Sequence, residues 1–196
     1  MPAKTRLLLA AMMVAALPSA ASAADPPASI KSLLTTCNAC HGTKGVSSIA
    51  QTPSLAGQPN IFTQYQLVFM REGGRKPGVM AAVAKTLTDQ QIQDLGAWYE
   101  SLPPPPPLKT GPTVDEAKAM AIITPRHCDS CHKEDFSGQG ETGRLAGQRP
   151  DYLIKSLKDF RAGERRGRGM GAMMEVSVTL KDDDIQTLAT YLARKP

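Results

Sequence analysis

A five-residue pattern that could bind iron occurs twice in the 196-residue sequence, at residues 37–41 (CNACH) and 128–132 (CDSCH). In each copy two thiols three positions apart precede a histidine, which is the spacing that attaches a c-type haem. Each thiol adds to a vinyl group of the porphyrin, and the histidine becomes an iron ligand. The two copies use all four cysteines and two of the three histidines. We therefore predict two covalently attached haem c groups.

The residues of these two motifs have separate roles. The thiols predicted to attach the haem groups are Cys37, Cys40, Cys128 and Cys131. The predicted iron ligands on the proximal side are His41 and His132. A shared structural zinc is the first alternative, but the 87 residues between Cys40 and Cys128 exceed ordinary zinc-ribbon spacing. A thioredoxin-like dithiol lacks its βαβ context, and structural disulfides would not explain the paired histidines.

The motifs belong to two halves that repeat each other. The sequence Leu-Ala-Gly-Gln occurs at 55–58 and again at 145–148, and the segments 59–76 and 149–166 then align without gaps. Such self-similarity indicates a duplicated domain. Five prolines at 103–107 lie between the halves and favour a polyproline II spacer of roughly 15 Å, which should hold the halves apart.

The domain boundaries follow from this repeat. We predict a first domain at 24–102, a Pro-rich linker at 103–112 and a second domain at 113–196.

Hydrophobic periodicity predicts an all-α fold with no convincing strand. Helices are expected in the first half at 28–36, 60–71 and 88–101, the last one opened by a Thr88/Gln91 capping box. In the second half, Thr113 and Glu116 are expected to cap a helix that ends before Pro125, and the last helix should cover 182–193.

The ligand on the distal side of each iron separates electron transfer from catalysis. Met80 and Met173 each lie seven residues before an equivalent leucine, in a segment expected to be a Gly-rich loop. Core packing is the ordinary role of methionine, but recurrence in both halves favours these two as iron ligands. Two alternatives to Met173 stay open: Met174, which is adjacent, and Met170, which would match if the three-residue insertion of the second half fell after the methionine.

The N-terminus has the features of an exported protein. Residues 1–23 combine basic Lys4 and Arg6, an apolar run at 7–17 and a small-residue cleavage site ending at Ala23. The apolar run is too short to span a bilayer as a helix, so we expect a periplasmic protein. The formal charge of +5 falls to +3 when Lys4 and Arg6 leave with the signal. Haem propionates reduce it further, so the charge does not indicate nucleic-acid binding.

Together, the two haem motifs, the twice-used Leu-Ala-Gly-Gln and the methionine before each final helix resemble the dihaem cytochrome c4 family over nearly all of the mature chain. The resemblance implies two tandem class I cytochrome c domains, packed about a pseudo-two-fold axis with haem propionates near the interface. It also implies that the Pro53 carbonyl accepts a hydrogen bond from the proximal histidine. Gly143 stands at the equivalent position in the second half. Its carbonyl is expected to accept the hydrogen bond from His132, on a backbone less rigid than that of proline.

The same resemblance implies an electron carrier and not an enzyme. Its redox partners would be a quinol–cytochrome c reductase or a dehydrogenase as donor and a terminal oxidase as acceptor. The alternative is a cytochrome subunit of a periplasmic dehydrogenase, for example a flavocytochrome sulfide dehydrogenase. A dihaem peroxidase is disfavoured because both halves carry the methionine. The basic residues of the segment 161–168, Arg161, Arg165, Arg166 and Arg168, are expected either to steer an acidic partner or to form a solvated loop.

Overall fold

The computed structural model describes residues 25–75, 78–167 and 169–196, so the predicted signal segment at 1–23 lies outside it. The described residues form ten α-helices and two isolated β-bridges, which confirms the all-α prediction. The first half contains α1 (Ala28–Lys31), α2 (Leu33–His41), α3 (Asn60–Arg71), α4 (Val79–Lys85) and α5 (Asp89–Ser101). The second contains α6 (Glu116–Ile123), α7 (Cys128–His132), α8 (Pro150–Arg161), α9 (Gly171–Val178) and α10 (Asp182–Ala193). None of the helices in the described ranges is long and apolar enough to cross a membrane.

Side-chain caps fix where two of these helices begin. The predicted capping box of α5 is present, since the Thr88 hydroxyl accepts from the Gln91 amide at 3.2 Å and the Gln91 side chain accepts from the Thr88 amide at 3.0 Å. The predicted cap of α6 was wrong. Asp115, and not Thr113, accepts from the Lys118 amide at 2.8 Å. A carboxylate suits this position because it also faces the partial positive charge of the helix N-terminus.

The segments that carry Met80 and Met173 are helices, not the loops predicted from their glycines. Met80 lies in α4 and Met173 in α9. In α4 three alanines among seven residues outweigh the preceding Gly78, because alanine has the highest helix propensity.

Each half builds its own hydrophobic core. In the first, α3 packs along α5, and the core is centred on residues such as Ile30, Ile92 and Leu95. In the second, α10 packs between α8 and α6, with Ile123, Ile185 and Ala189 at the centre. The exact boundaries at 24–102, 103–112 and 113–196 stay predictions.

The Pro-rich segment does not hold the halves apart, and this expectation was wrong. Pro105 is buried, and the segment lies against the glycine of each Leu-Ala-Gly-Gln turn. A methyl group at Gly57 would lie 2.8 Å from the Pro104 ring, and one at Gly147 would lie 2.6 Å from the Pro105 carbonyl oxygen. The prolines therefore stiffen a strap that runs over both domains.

Replacing these turn glycines should loosen the strap. Gly57, Gly147 and Gly163 share a left-handed φ of 68°, but nothing lies within 4 Å of a methyl group at Gly163. Gly163→Ala therefore measures the backbone strain alone. Gly57→Ala and Gly147→Ala are expected to lower the free energy of unfolding by about 1–3 kcal/mol more than Gly163→Ala, from overpacking. Denaturant titration of the holoprotein measures this, and equal losses in all three variants would contradict the packing described.

Candidate functional site

The His41 imidazole is held in place by a backbone carbonyl. His41 ends α2 and is 5% exposed, and its Nδ1 lies 2.9 Å from the Pro53 carbonyl oxygen. A carbonyl can only accept, so Nδ1 carries the proton and Nε2 keeps its lone pair. Burial lowers the pKa of His41 against the opposing effect of this hydrogen bond. The ring is therefore neutral and oriented, as an iron ligand must be.

The second half repeats this arrangement. His132 ends α7, is 8% exposed, and places Nδ1 2.8 Å from the Gly143 carbonyl oxygen. Burial also lowers the pKa of His132. Both expected carbonyl contacts are thus present, and the loss of proline at Gly143 has not removed the second one.

The thiols of each motif lie on one short helical turn beside their histidine. Cys37 packs against the first core and Cys128 against the second, whereas Cys40 and Cys131 are exposed. Burial raises the pKa of the Cys37 and Cys128 thiols. Because the two pairs pack on different cores, they do not form one four-thiol zinc site.

The helix register aligns Met80 with Met173. A threonine directly follows each helix, Thr86 after α4 and Thr179 after α9. The fully buried residue two positions before it is Ala84 in α4 and Ser177 in α9. Counting back six positions from each threonine reaches a methionine. The extra residues of the second half therefore lie before α9. Met80 packs against the first core, as Cys37 does, and Met173 is half-buried.

Met170 has a different environment. It is 7% exposed, precedes α9, and lines a small cavity with residues of both halves. Tyr65 and Phe69 of α3 contribute to that cavity from the first half. Met170 is therefore a contact between the halves.

Two arginines converge between the halves. The Gln66 side-chain oxygen accepts from the Arg165 guanidinium at 2.7 Å and from Arg75 at 3.1 Å. Arg165 is 5% exposed and lies 4.4 Å above the Phe160 ring, and burial lowers its pKa to about 10. Among the described residues no carboxylate forms an ion pair with Arg165, and its Nε is buried without a hydrogen-bond partner.

A buried cation of this kind needs an anionic partner. Haem groups carry propionate carboxylates, so the convergence of Arg75 and Arg165 fits a haem-containing site. This arrangement also corrects the expectation for the basic segment. Arg165 is buried and Arg161 pairs with Asp182 at 2.6 Å, so neither is free to meet a partner. Arg168 lies outside the described residues.

Sequence reasoning missed the contacts that join the halves. The Gln148 side chain accepts from the Ser54 amide and donates to the Ser54 carbonyl, each at 2.9 Å. Gln58 makes the same two contacts with the backbone of Arg144, each at 3.0 Å. The signal was present, because these glutamines are the last residues of the repeated Leu-Ala-Gly-Gln.

Models of two protein families match the chain. Residues 116–194 match the family described as "Cytochrome c", and residues 23–98 match "Cytochrome C oxidase, cbb3-type, subunit III". Each match contains one complete Cys-x-x-Cys-His motif.

Relatives match over nearly the whole length. A thiosulfate dehydrogenase electron acceptor of Thiomonas intermedia is 32% identical over 92% of this chain and 85% of its own. Cytochrome c4 of Azotobacter vinelandii is 28% identical over 95% of this chain and 97% of its own. The crystal structure of reduced recombinant cytochrome c4 from Pseudomonas stutzeri superposes with a TM-score of 0.72 at 27% identity, covering 88% of this chain and 99% of that one.

The packing of Phe62 on Gly143 can be tested directly. A methyl group at Gly143 would lie 2.6 Å from the Phe62 ring, so Gly143→Ala should lower the free energy of unfolding by about 1–3 kcal/mol. In the double variant with Phe62→Leu, the smaller side chain should relieve part of this loss. A double-mutant cycle by denaturant titration measures the coupling, and strictly additive losses would show that the two residues do not touch.

Proposed function

The chain belongs to the dihaem cytochrome c4 family, and we propose that it carries electrons between protein partners in the periplasm. It is an electron-transfer cytochrome with two covalently attached haem c groups and redox protein partners. The observation that best supports the proposal is the repeated site. Each half holds one neutral, oriented histidine next to a thiol pair, and each half carries a methionine at the same register of the helix before its last one.

The residues proposed to hold the haem groups come from both halves. The attaching thiols are Cys37, Cys40, Cys128 and Cys131, and the iron ligands are His41, Met80, His132 and Met173. The haem groups supply one-electron chemistry when bound, and methionine ligation favours the reduced form relative to a second histidine. The chain's own residues orient the histidine rings and partly bury Cys37 and Cys128.

A filled coordination sphere leaves no place for a substrate, which is why we propose a carrier and not an enzyme. The registers of α4 and α9 support the two methionines in equivalent positions. The proposal thus requires that neither iron bind an added ligand readily.

Carbon monoxide tests this closure. The reduced protein should show an unchanged visible spectrum when carbon monoxide is added. Met80→Leu and Met173→Leu should each let one haem bind the gas, because leucine cannot donate to iron. Met170→Leu is the matched control and should bind none. Binding in the unmodified protein, or in the control, would contradict the proposed ligands.

We propose donors and acceptors of two kinds. A quinol–cytochrome c reductase delivering electrons toward a terminal oxidase is the first. The second is a periplasmic dehydrogenase as donor, which the 32% identity to a thiosulfate dehydrogenase electron acceptor favours. In that case the chain would serve as the cytochrome partner of the enzyme.

Reduction by defined donors separates these two. With thiosulfate and a catalytic amount of a thiosulfate dehydrogenase, both haems should become reduced over successive turnovers of the enzyme if the second kind is correct. With quinol and a purified reductase they should become reduced if the first is correct. The Met173→Leu protein serves as a control. It shows whether reduction by either donor depends on an intact methionine ligand in the second domain. Reduction by neither donor would refute both assignments.

A further inference from the structure

Two glutamine side chains make reciprocal contacts between the halves. Gln148 of the second half pairs with both backbone groups of Ser54 in the first, and Gln58 of the first half pairs with both backbone groups of Arg144 in the second. We call these the crossed amide pairs. Gln58 is 5% exposed and Gln148 is 3% exposed, so water does not compete for these contacts.

Each pair ends on the peptide that orients a proximal histidine. The amide of Ser54 and the carbonyl of Pro53 belong to one peptide group, and that carbonyl accepts from His41 at 2.9 Å. In a trans peptide the C=O and N–H point in opposite directions. The imidazole of His41 and the carboxamide of Gln148 therefore bind the two ends of a single peptide.

The second site has the same connection. The amide of Arg144 shares its peptide group with the carbonyl of Gly143, which accepts from His132 at 2.8 Å. Gln58, from the other half, accepts from that amide at 3.0 Å. Each histidine is thus linked through one peptide to a glutamine of the opposite domain.

Hydrogen bonds in such a chain polarise one another. A peptide whose N–H donates to a glutamine oxygen carries more negative charge on its own carbonyl oxygen. That oxygen accepts more strongly from the histidine, which raises the basicity of the imidazole. A more basic ligand stabilises ferric over ferrous iron, so each glutamine should lower the reduction potential of the opposite haem.

We propose that Gln58 and Gln148 are positioning residues that set the reduction potential of the haem in the opposite domain, Gln148 through His41 and Gln58 through His132. The inference rests on the proposed ligation of the irons by these histidines. Docking of the domains then acts on the chemistry of both sites, and not on stability alone.

The test uses the full-length holoprotein and follows both haems by NMR during a redox titration, with haem methyl signals assigned to their domains. Gln148→Leu should change the ratio of ferric to ferrous haem in the first domain by about threefold at fixed potential, toward ferrous. For one electron this is a rise of about 28 mV at 59 mV per tenfold. Gln58→Leu should do the same to the second haem. In each variant the haem of the glutamine's own domain should change less.

Two further variants separate this role from a loss of packing. At a pH that ionises the introduced carboxyl, Gln148→Glu keeps an oxygen acceptor for the Ser54 amide and adds charge to it, although it loses the bond donated to the Ser54 carbonyl. It should then shift the first haem toward ferric, opposite to Gln148→Leu. Asp151→Ala removes another contact between the halves, from the Gln51 amide at 2.9 Å, without touching either proximal peptide. This variant should leave the difference between the reduction potentials of the two haems unchanged.

Several results would overturn the proposal. They are a larger shift in the glutamine's own domain than in the opposite one, equal shifts in both, no shift, the same direction for leucine and glutamate, or the Gln148 pattern in Asp151→Ala. If Gln148→Leu does not assemble, the direction found in Gln148→Glu decides. Failure of the underlying ligation shows differently, as carbon monoxide binding by the unmodified protein.

Discussion

The peptide that accepts a hydrogen bond from each proximal histidine is the constraint on which the rest of the structure depends. Its carbonyl is used by a histidine and its amide by a glutamine of the other half, and both lie in the interior. A buried amide left without a partner costs about 1–3 kcal/mol. The two domains therefore have one docking register in which both peptides have hydrogen-bond partners. The proline strap packs on Gly57 of one domain and Gly147 of the other in the same register.

The duplicated domains share this backbone but place their large side chains at different positions. In the first half the Gly45 carbonyl accepts from the amides of Leu55 and Ala56. Gly45 also lies against the Tyr99 ring, and a methyl group added to it would come within 3.0 Å of that ring. In the second half the Phe136 carbonyl accepts from the equivalent amides of Leu145 and Ala146. Leu192 is the equivalent of Tyr99, because its carbonyl accepts from the turn glycine Gly147 as that of Tyr99 accepts from Gly57. An aromatic ring is thus supplied by the turn in one domain and by the last helix in the other. Phe136 retains the positive φ of 56° that its position requires, although it is not glycine.

The sequence predicted what depends on local spacing. The haem motifs and the Thr88 cap are patterns within a few residues, and the all-α class follows from the periodicity of such local segments. The structure has the Thr88 cap and the helices at 60–71 and 182–193 where these patterns indicate. The sequence could not predict contacts between the halves. Arg165 looks like a surface cation until the fold brings Gln66 and Ser156 around it. The prolines suggested separation because their stiffness is local, whereas the surface they lie on is set by both domains.

The two sites are built alike but are not equally dependent on the interface. Pro53 has a φ restricted by its own ring, so its carbonyl is partly fixed before the domains meet. Gly143 has no such restriction and is held by Phe62 from the other half. The oxygen of Gln148 also accepts from the Arg149 amide at 3.0 Å, so it divides its acceptor strength between two donors. Among the described contacts Gln58 accepts only from Arg144. Domain packing therefore contributes more to the orientation of His132 than to that of His41, which makes the two haem environments different despite their common origin.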